Sequence, residues 1–191
     1  MTPLDLKQQL NSGRLNKTKI DQLVTILVTQ PHLTQPLLHE VFAQDAQGTS
    51  FNASWVFDHL MRKKLDYVLP HVQLFIEGTS KLKTESCRRP MAHVLELLNE
   101  AFFKKGIHIY KATITKRQLE EMTTICFDWL IGPHKVATKV FAMTSLYYLG
   151  EEFEWVRPEL KSTLELQIKA GTSGFKNRGG KILDKLRNLG Y

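Results

Sequence analysis

Apolar residues recur at helical spacing from one end of this chain to the other. In residues 133–150, Val136, Val140, Met143 and Tyr147 share one side, and Phe141, Leu146, Tyr148 and Leu149 widen that surface. Such a wide apolar surface predicts a helix covered by more than one neighbour. Pro133 at its start and Gly150 at its end set its limits. One strip of the same segment is polar or small: Lys135, Thr138, Lys139, Ala142 and Ser145 follow i, i+3, i+4, i+7, i+10 and are expected to face solvent or a ligand.

The rest of the chain reads the same way. Leu4, Leu6 and Leu10 mark a short first helix that Asn11-Ser12-Gly13 ends, and Thr18 opens a second carrying Ile20, Leu23, Val24 and Leu27. Residues 1–30 are expected to form an N-terminal cap on the stacked helices. A third helix holds Leu33, Leu37, Leu38, Val41 and Phe42, with Pro36 in its first turn, and stops at Gln47-Gly48-Thr49. A fourth starts at Ser50; a fifth, with Pro70, ends at Gly78-Thr79-Ser80; a sixth carries Met91, Val94, Leu95 and Leu98. Gly106 opens a basic insertion, and residues 104–114 are expected as an ordered loop or an outward-bent helix extension. Thr115 with Gln118 three residues on is a capping box for the seventh helix. Residues 133–150 form the eighth. Pro158 stands in the first turn of a ninth that Gly171-Thr172-Ser173 closes, and a tenth, from Phe175 to Leu189, is expected to be interrupted by Gly179-Gly180, at roughly 1 kcal/mol per glycine relative to alanine.

These pieces repeat. Phe51, Cys87, Val136 and Phe175 each stand shortly after a turn and are spaced by 36, 49 and 39 residues, the long interval containing the insertion. A period of about 35 to 40 residues with two helices per unit is the mark of a helical solenoid. Pro36 and Pro70 lie one such period apart. The expected fold is all-α, about ten helices in antiparallel pairs over a single helical-repeat domain of residues 1–191, with stacked pairs from 31 to 189.

The chain resembles HEAT-like helical-repeat proteins, and specifically a family of small bacterial proteins. The stretches that carry the likeness are FDHLMRKKLDYVLPHV (57–72), ESCRRPMAHVLELL (85–98), CFDWLIGPHKVATKVFAMTSLYYLGEEFEWVRPELK (126–161) and a basic final helix. The resemblance covers about residues 30 to 187 and implies a HEAT-like α-solenoid. Members of that family are often labelled adenylosuccinate lyase by automatic transfer. That lyase is a far larger protein of long bundled helices with a mobile Ser-Ser-x-Met-Pro loop. This chain has no such loop, and Gly or Pro breaks its helices too often for a long central bundle.

Charge adds a direction. With 26 basic and 19 acidic residues the formal net charge is +7, which favours anionic partners by long-range attraction. No apolar run approaches the ~18 residues of a membrane span, residues 1–14 lack the layout of a signal peptide, and a cytoplasmic protein with no membrane partner is the default expectation. Cys87 and Cys126 sit in apolar helical contexts and are expected to be buried and reduced. The seven histidines show no H-x-x-x-H or paired Cys/His spacing, and no phosphate loop or dinucleotide fingerprint is present, so no metal and no cofactor are expected.

In a solenoid the second helix of each pair lines the concave surface. In the frame of Lys135, Thr138, Lys139 and Ala142, the equivalent positions are Ser50, Ala53, Ser54 and Phe57; Ser86, Arg89, Pro90 and His93; and Gly174, Asn177, Arg178 and Lys181, with Lys185 a turn further. This predicts a basic surface of Arg89, His93, Lys135, Lys139, Arg178, Lys181 and Lys185, opposed mainly by Glu96 and Glu100. The expected function is non-catalytic: a binding or scaffold protein that receives an acidic protein segment or nucleic acid, although a merely solvated polar face gives the same pattern. The alternative is a nucleic-acid enzyme resembling HEAT-like alkylpurine DNA glycosylases, with Trp55 and Asp58 at i, i+3 as the aromatic and the aspartate. Against it, Trp55 also reads as core and Asp58 as the i+4 partner of Arg62.

Overall fold

The computed structural model describes residues 1–43, 48–105 and 107–191. Gln47 and Gly106, expected as turn residues, lie outside them. Among the described residues there are eleven α-helices and no strand: α1 Pro3–Leu10, α2 Lys17–Leu27, α3 Thr34–Phe42, α4 Thr49–Met61, α5 Val72–Ser80, α6 Glu85–Asn99, α7 His108–Thr113, α8 Lys116–Ile131, α9 Val136–Leu149, α10 Val156–Ile168 and α11 Ser173–Asn188. The chain packs as two compact units, Met1–Val94 and Leu95–Tyr191. The extra helix relative to expectation is α7, which occupies most of the insertion and is held by the buried Tyr110. Before it, α6 continues into a π-helical turn, Glu100–Lys104.

Local chemistry sets the helix starts. Thr115 and Gln118 form the expected reciprocal cap: the Gln118 N–H donates to Thr115 Oγ1 at 3.3 Å and the Thr115 N–H to Gln118 Oε1 at 2.9 Å. Thr2 and Asp5 do the same for α1. The turn between α1 and α2 is tied to α4 by buried Asn52, whose Nδ2 donates to the carbonyls of Leu10 and Gly13 while its Oδ1 accepts from the Leu15 N–H. One side chain thus satisfies one backbone group at the end of α1 and two in the turn that follows it.

Two glycine readings change. Gly78-Thr79-Ser80 does not end the fifth helix early; it forms the last turn of α5. Gly78 is there because the Phe42 ring of α3 lies where its Cβ would stand, so this glycine permits close packing rather than termination. Before α5, Leu65–His71 is a 3₁₀ stretch that accommodates Pro70. The pair Gly179-Gly180 does not interrupt the last helix either, since α11 runs through both. A Cβ at Gly179 would meet Ile168 and Leu164 at ordinary contact distance, and one at Gly180 would meet nothing within 4 Å. Gly180→Ala is therefore expected to raise stability by about 1 kcal/mol, seen as a higher melting temperature by circular dichroism; a lower one contradicts this account of α11.

Each unit has its own core. In the first, Leu37, Leu38 and Val41 of α3 are fully buried together with Phe57 of α4, which stacks on Phe75 of α5 at 5.9 Å between ring centroids. In the second, α9 packs on α8, α10, α11 and the π-turn, as its wide apolar surface requires. Both cysteine thiols are free and buried. Burial pushes the Cys126 thiol up to about 12, with the Ser145 hydroxyl of α9 beside it pulling the other way, so it is held protonated at neutral pH. Among the described residues no helix is long and apolar enough to cross a membrane.

Candidate functional site

The strip expected to be open on α9 is mostly closed. Thr138, Ala142 and Ser145 are buried, and Ser145 lies against Cys126 of α8. Small residues at i, i+4, i+7 let α8 and α9 approach closely, so this side of α9 is its packing seam. The corresponding residues of α4, Ser50, Ala53, Ser54 and Phe57, are buried as well. The strip expected to be open is thus largely the packed side of both helices.

The accessible side of α9 is aromatic. Ala137, Val140, Phe141 and Tyr147 are half-buried, and Thr144 and Tyr148 retain a little surface beside them. At 3.6 residues per turn this side is rotated on the order of 150° from the buried strip. Cations gather on it. The Lys185 ammonium of α11 stands 5.1 Å from the Tyr147 ring centroid, and the Arg157 guanidinium of α10 stands 5.6 Å from the same ring. Arg178 Nη1 donates to Thr144 Oγ1 at 2.8 Å and to Glu96 Oε1 at 3.1 Å, so α11 is fixed to α9 by the one arginine. Tyr147 and Tyr148 meet edge to face at 5.6 Å. Burial raises the Tyr148 hydroxyl above its usual range; the Lys104 ammonium opposes this, and the Glu100 and Glu96 carboxylates reinforce it.

The π-turn supplies the last part of this surface. Its i to i+5 bonding places the Lys105 N–H on the Glu100 carbonyl at 3.0 Å. Lys104 bonds Glu100 at 2.9 Å, which holds that carboxyl below and that ammonium above their ordinary ranges. The second unit therefore presents two tyrosines and a phenylalanine, cations at 104, 157, 178 and 185, and carboxylates at 96 and 100.

The first unit carries a related arrangement. Phe51, Trp55 and His59 are half-buried in a row on α4, with ring centroids 6.3 and 6.4 Å apart. Arg14 lies over Phe51 at 5.1 Å, and Arg89 of α6 lies over Trp55 at 5.4 Å. Asp58 is 1% exposed; its Oδ2 accepts from Arg62 Nη2 at 2.5 Å and its Oδ1 stands 2.6 Å from His93 Nδ1. The i, i+3 spacing of Trp55 and Asp58 thus produces no open pair. The indole is packed in a row and the carboxylate is buried between Arg62 and His93.

The predicted basic residues have different surroundings. Arg89 covers an indole and His93 holds Asp58, while Lys135 is exposed at the start of α9 and Lys181 is exposed on α11. Lys139 lines a pocket with Ile131, Leu166 and Phe175. Arg178 and Lys185 reach the aromatic side of α9. Of the residues on this aromatic and cationic surface, Tyr147, Tyr148, Phe141, Arg157 and Lys104 were not among those expected from the sequence to form a site. The signal available was the second apolar side of α9, which looked like more core. Among the described residues no group of three or more His, Cys, Asp or Glu side chains is placed to hold a metal ion.

A family model described as a HEAT repeat domain matches residues 6–186. Comparison with curated proteins and with solved structures finds no match.

Proposed function

This chain belongs to the HEAT-repeat family, and we propose that it is a non-catalytic binding protein whose aromatic and cationic helix faces hold an acidic protein segment. The observation that carries this reading is the accessible side of α9, where Lys185 and Arg157 lie over Tyr147 and Arg178 is fixed beside it. Aromatic rings supply contact area with few rotatable bonds, and cations already seated on them lose little freedom when a carboxylate arrives. The row of Phe51 and Trp55 under Arg14 and Arg89 is the same device in the first unit.

An acidic protein segment fits better than a nucleic acid, which is the other anionic partner that net charge favours. A phosphate backbone asks for a track of one sign. Here Glu96 and Glu100 stand among the cations and are bonded to two of them. A segment that alternates acidic with aromatic or aliphatic residues matches a surface of mixed charge and exposed rings. The non-catalytic part of the proposal draws on the sealed Asp58 carboxylate and the protonated Cys126 thiol.

The test is a fluorescence anisotropy titration of a labelled Glu-Phe repeat peptide and, separately, of labelled single-stranded DNA, at about 50 and 200 mM salt. Salt-sensitive binding of the peptide, tighter than that of the DNA at both concentrations, is expected. Tighter binding of the DNA, with a steep salt slope, overturns the choice of partner; binding of neither overturns the reading.

A further inference from the structure

Four helix ends meet around one pocket of the second unit. Ile131 closes α8, Val136 and Lys139 belong to the first turns of α9, Leu166 to the last turn of α10 and Phe175 to the first turn of α11. The pocket measures about 560 Å³ and is open to solvent. It differs from the aromatic side of α9 in every residue that forms it. Two of its large aliphatic side chains are unusually bare: Leu166 is 81% and Ile131 60% exposed. Scattered apolar exposure needs no explanation, but two such residues on the wall of one pocket mark a surface that is ready to be covered.

Lys139 gives this pocket a sign. Its side chain is half-buried, and burial alone holds its ammonium below the usual range. Among the described residues no carboxylate lies within ion-pair distance of it. A desolvated cation without a counter-ion costs free energy that an incoming anion recovers. On the aromatic side of α9, by contrast, Lys104, Arg157, Arg178 and Lys185 each already touch a ring or a carboxylate.

We infer that this pocket is a second docking site, for a protein segment that carries one carboxylate side chain flanked by aliphatic side chains. The carboxylate pairs with Lys139, and the aliphatic groups cover Ile131, Leu166 and Phe175. An aliphatic acid alone would leave much of an open pocket of this size uncovered, whereas a peptide brings side chains to both walls. The inference does not rest on the aromatic surface, and either site can exist without the other.

The experiment uses the isotope-labelled full chain and follows amide shifts on addition of the blocked peptide Leu-Glu-Leu-Leu, of its Gln-for-Glu counterpart and of decanoate, with sedimentation of the protein alone. The peptide is expected to shift Ile131, Val136, Lys139, Leu166 and Phe175. The Gln peptide, and the Glu peptide on a Lys139→Met variant, are each expected to bind about tenfold more weakly. Leu166→Gln, at a site too exposed to affect folding, is expected to weaken binding as well, and Lys181→Glu, an exposed residue of α11 outside the pocket lining, to leave it unchanged. Melting curves confirm that each variant is folded. Equal affinity of the Glu and Gln peptides overturns the inference. So do loss of binding in Lys181→Glu, shifts confined to other helices, decanoate binding there when the peptide does not, or self-association through Leu166.

Discussion

Asp58→Ala is expected to destabilise the protein by about 2–4 kcal/mol. The carboxylate is buried and bonded at both oxygens, by Arg62 from its own helix and by His93 from α6. Removing it takes away the buried carboxylate that the His93 imidazole meets and opens a small void at its place. The expected loss is less than for a fully enclosed pair because Arg62 is about half exposed and recovers water when released. Two further substitutions separate these contributions. Arg62→Ala is expected to cost roughly 1 kcal/mol, and Asp58→Asn, which keeps an acceptor toward His93, is expected to fall between the two. Urea unfolding followed by circular dichroism measures all three. If Asp58→Ala costs no more than Arg62→Ala, the His93 contact contributes nothing and the link from α4 to α6 has been assigned to the wrong side chain.

That link also bears on how the first unit presents its aromatic row. Arg89 lies on α6 four residues before His93, and it is Arg89 that covers Trp55. Fixing His93 on Asp58 therefore sets the position of the helix from which Arg89 reaches the indole. In the sequence, Trp55 and Asp58 offer a catalytic possibility and Asp58 and Arg62 a structural one. The structure adds His93 to the second and removes the open carboxylate that the first needs.

What was legible in the sequence was local. The capping box of Thr115 and Gln118 depends on residues three apart, and the wide apolar surface of α9 depends only on helical spacing, so both could be read directly. Glycine was ambiguous for a physical reason. Gly150 does close a helix, while Gly78 lies under the Phe42 ring of α3 and Gly180 sits in open space within α11. Nothing in the neighbouring residues distinguishes a glycine that ends a helix from one that lets another helix come close. The site failed to emerge for a similar reason. Thr138, Ala142 and Ser145 are small and partly polar, which suits a solvent face and equally suits a close helix seam. Which of the two they form depends on where α8 packs, and that is decided by residues far away in the chain. Arg178 and Lys185 can be recognised as surface cations from spacing alone, but the rings they approach have the spacing of core residues.

The second large effect concerns binding. Lys185 is exposed and Tyr147 half-buried, so both can be changed with little damage to the fold, yet together they make the contact on which the functional reading stands. Lys185→Glu reverses the charge over the ring, and Tyr147→Ala removes the ring from beneath both Lys185 and Arg157. Central aromatic and cationic residues of an interface each cost about 1–3 kcal/mol when removed, so the double variant is expected to bind the acidic Glu-Phe peptide at least about tenfold more weakly. Lys181→Glu, on an exposed turn of the same helix α11, serves as the control for net charge alone and is expected to weaken binding much less. The decisive measurement is the affinity of that peptide for the wild-type chain and for the Tyr147→Ala/Lys185→Glu variant, taken alongside their melting curves. The account predicts a loss of tenfold or more with little change in melting temperature; equal affinities would contradict it.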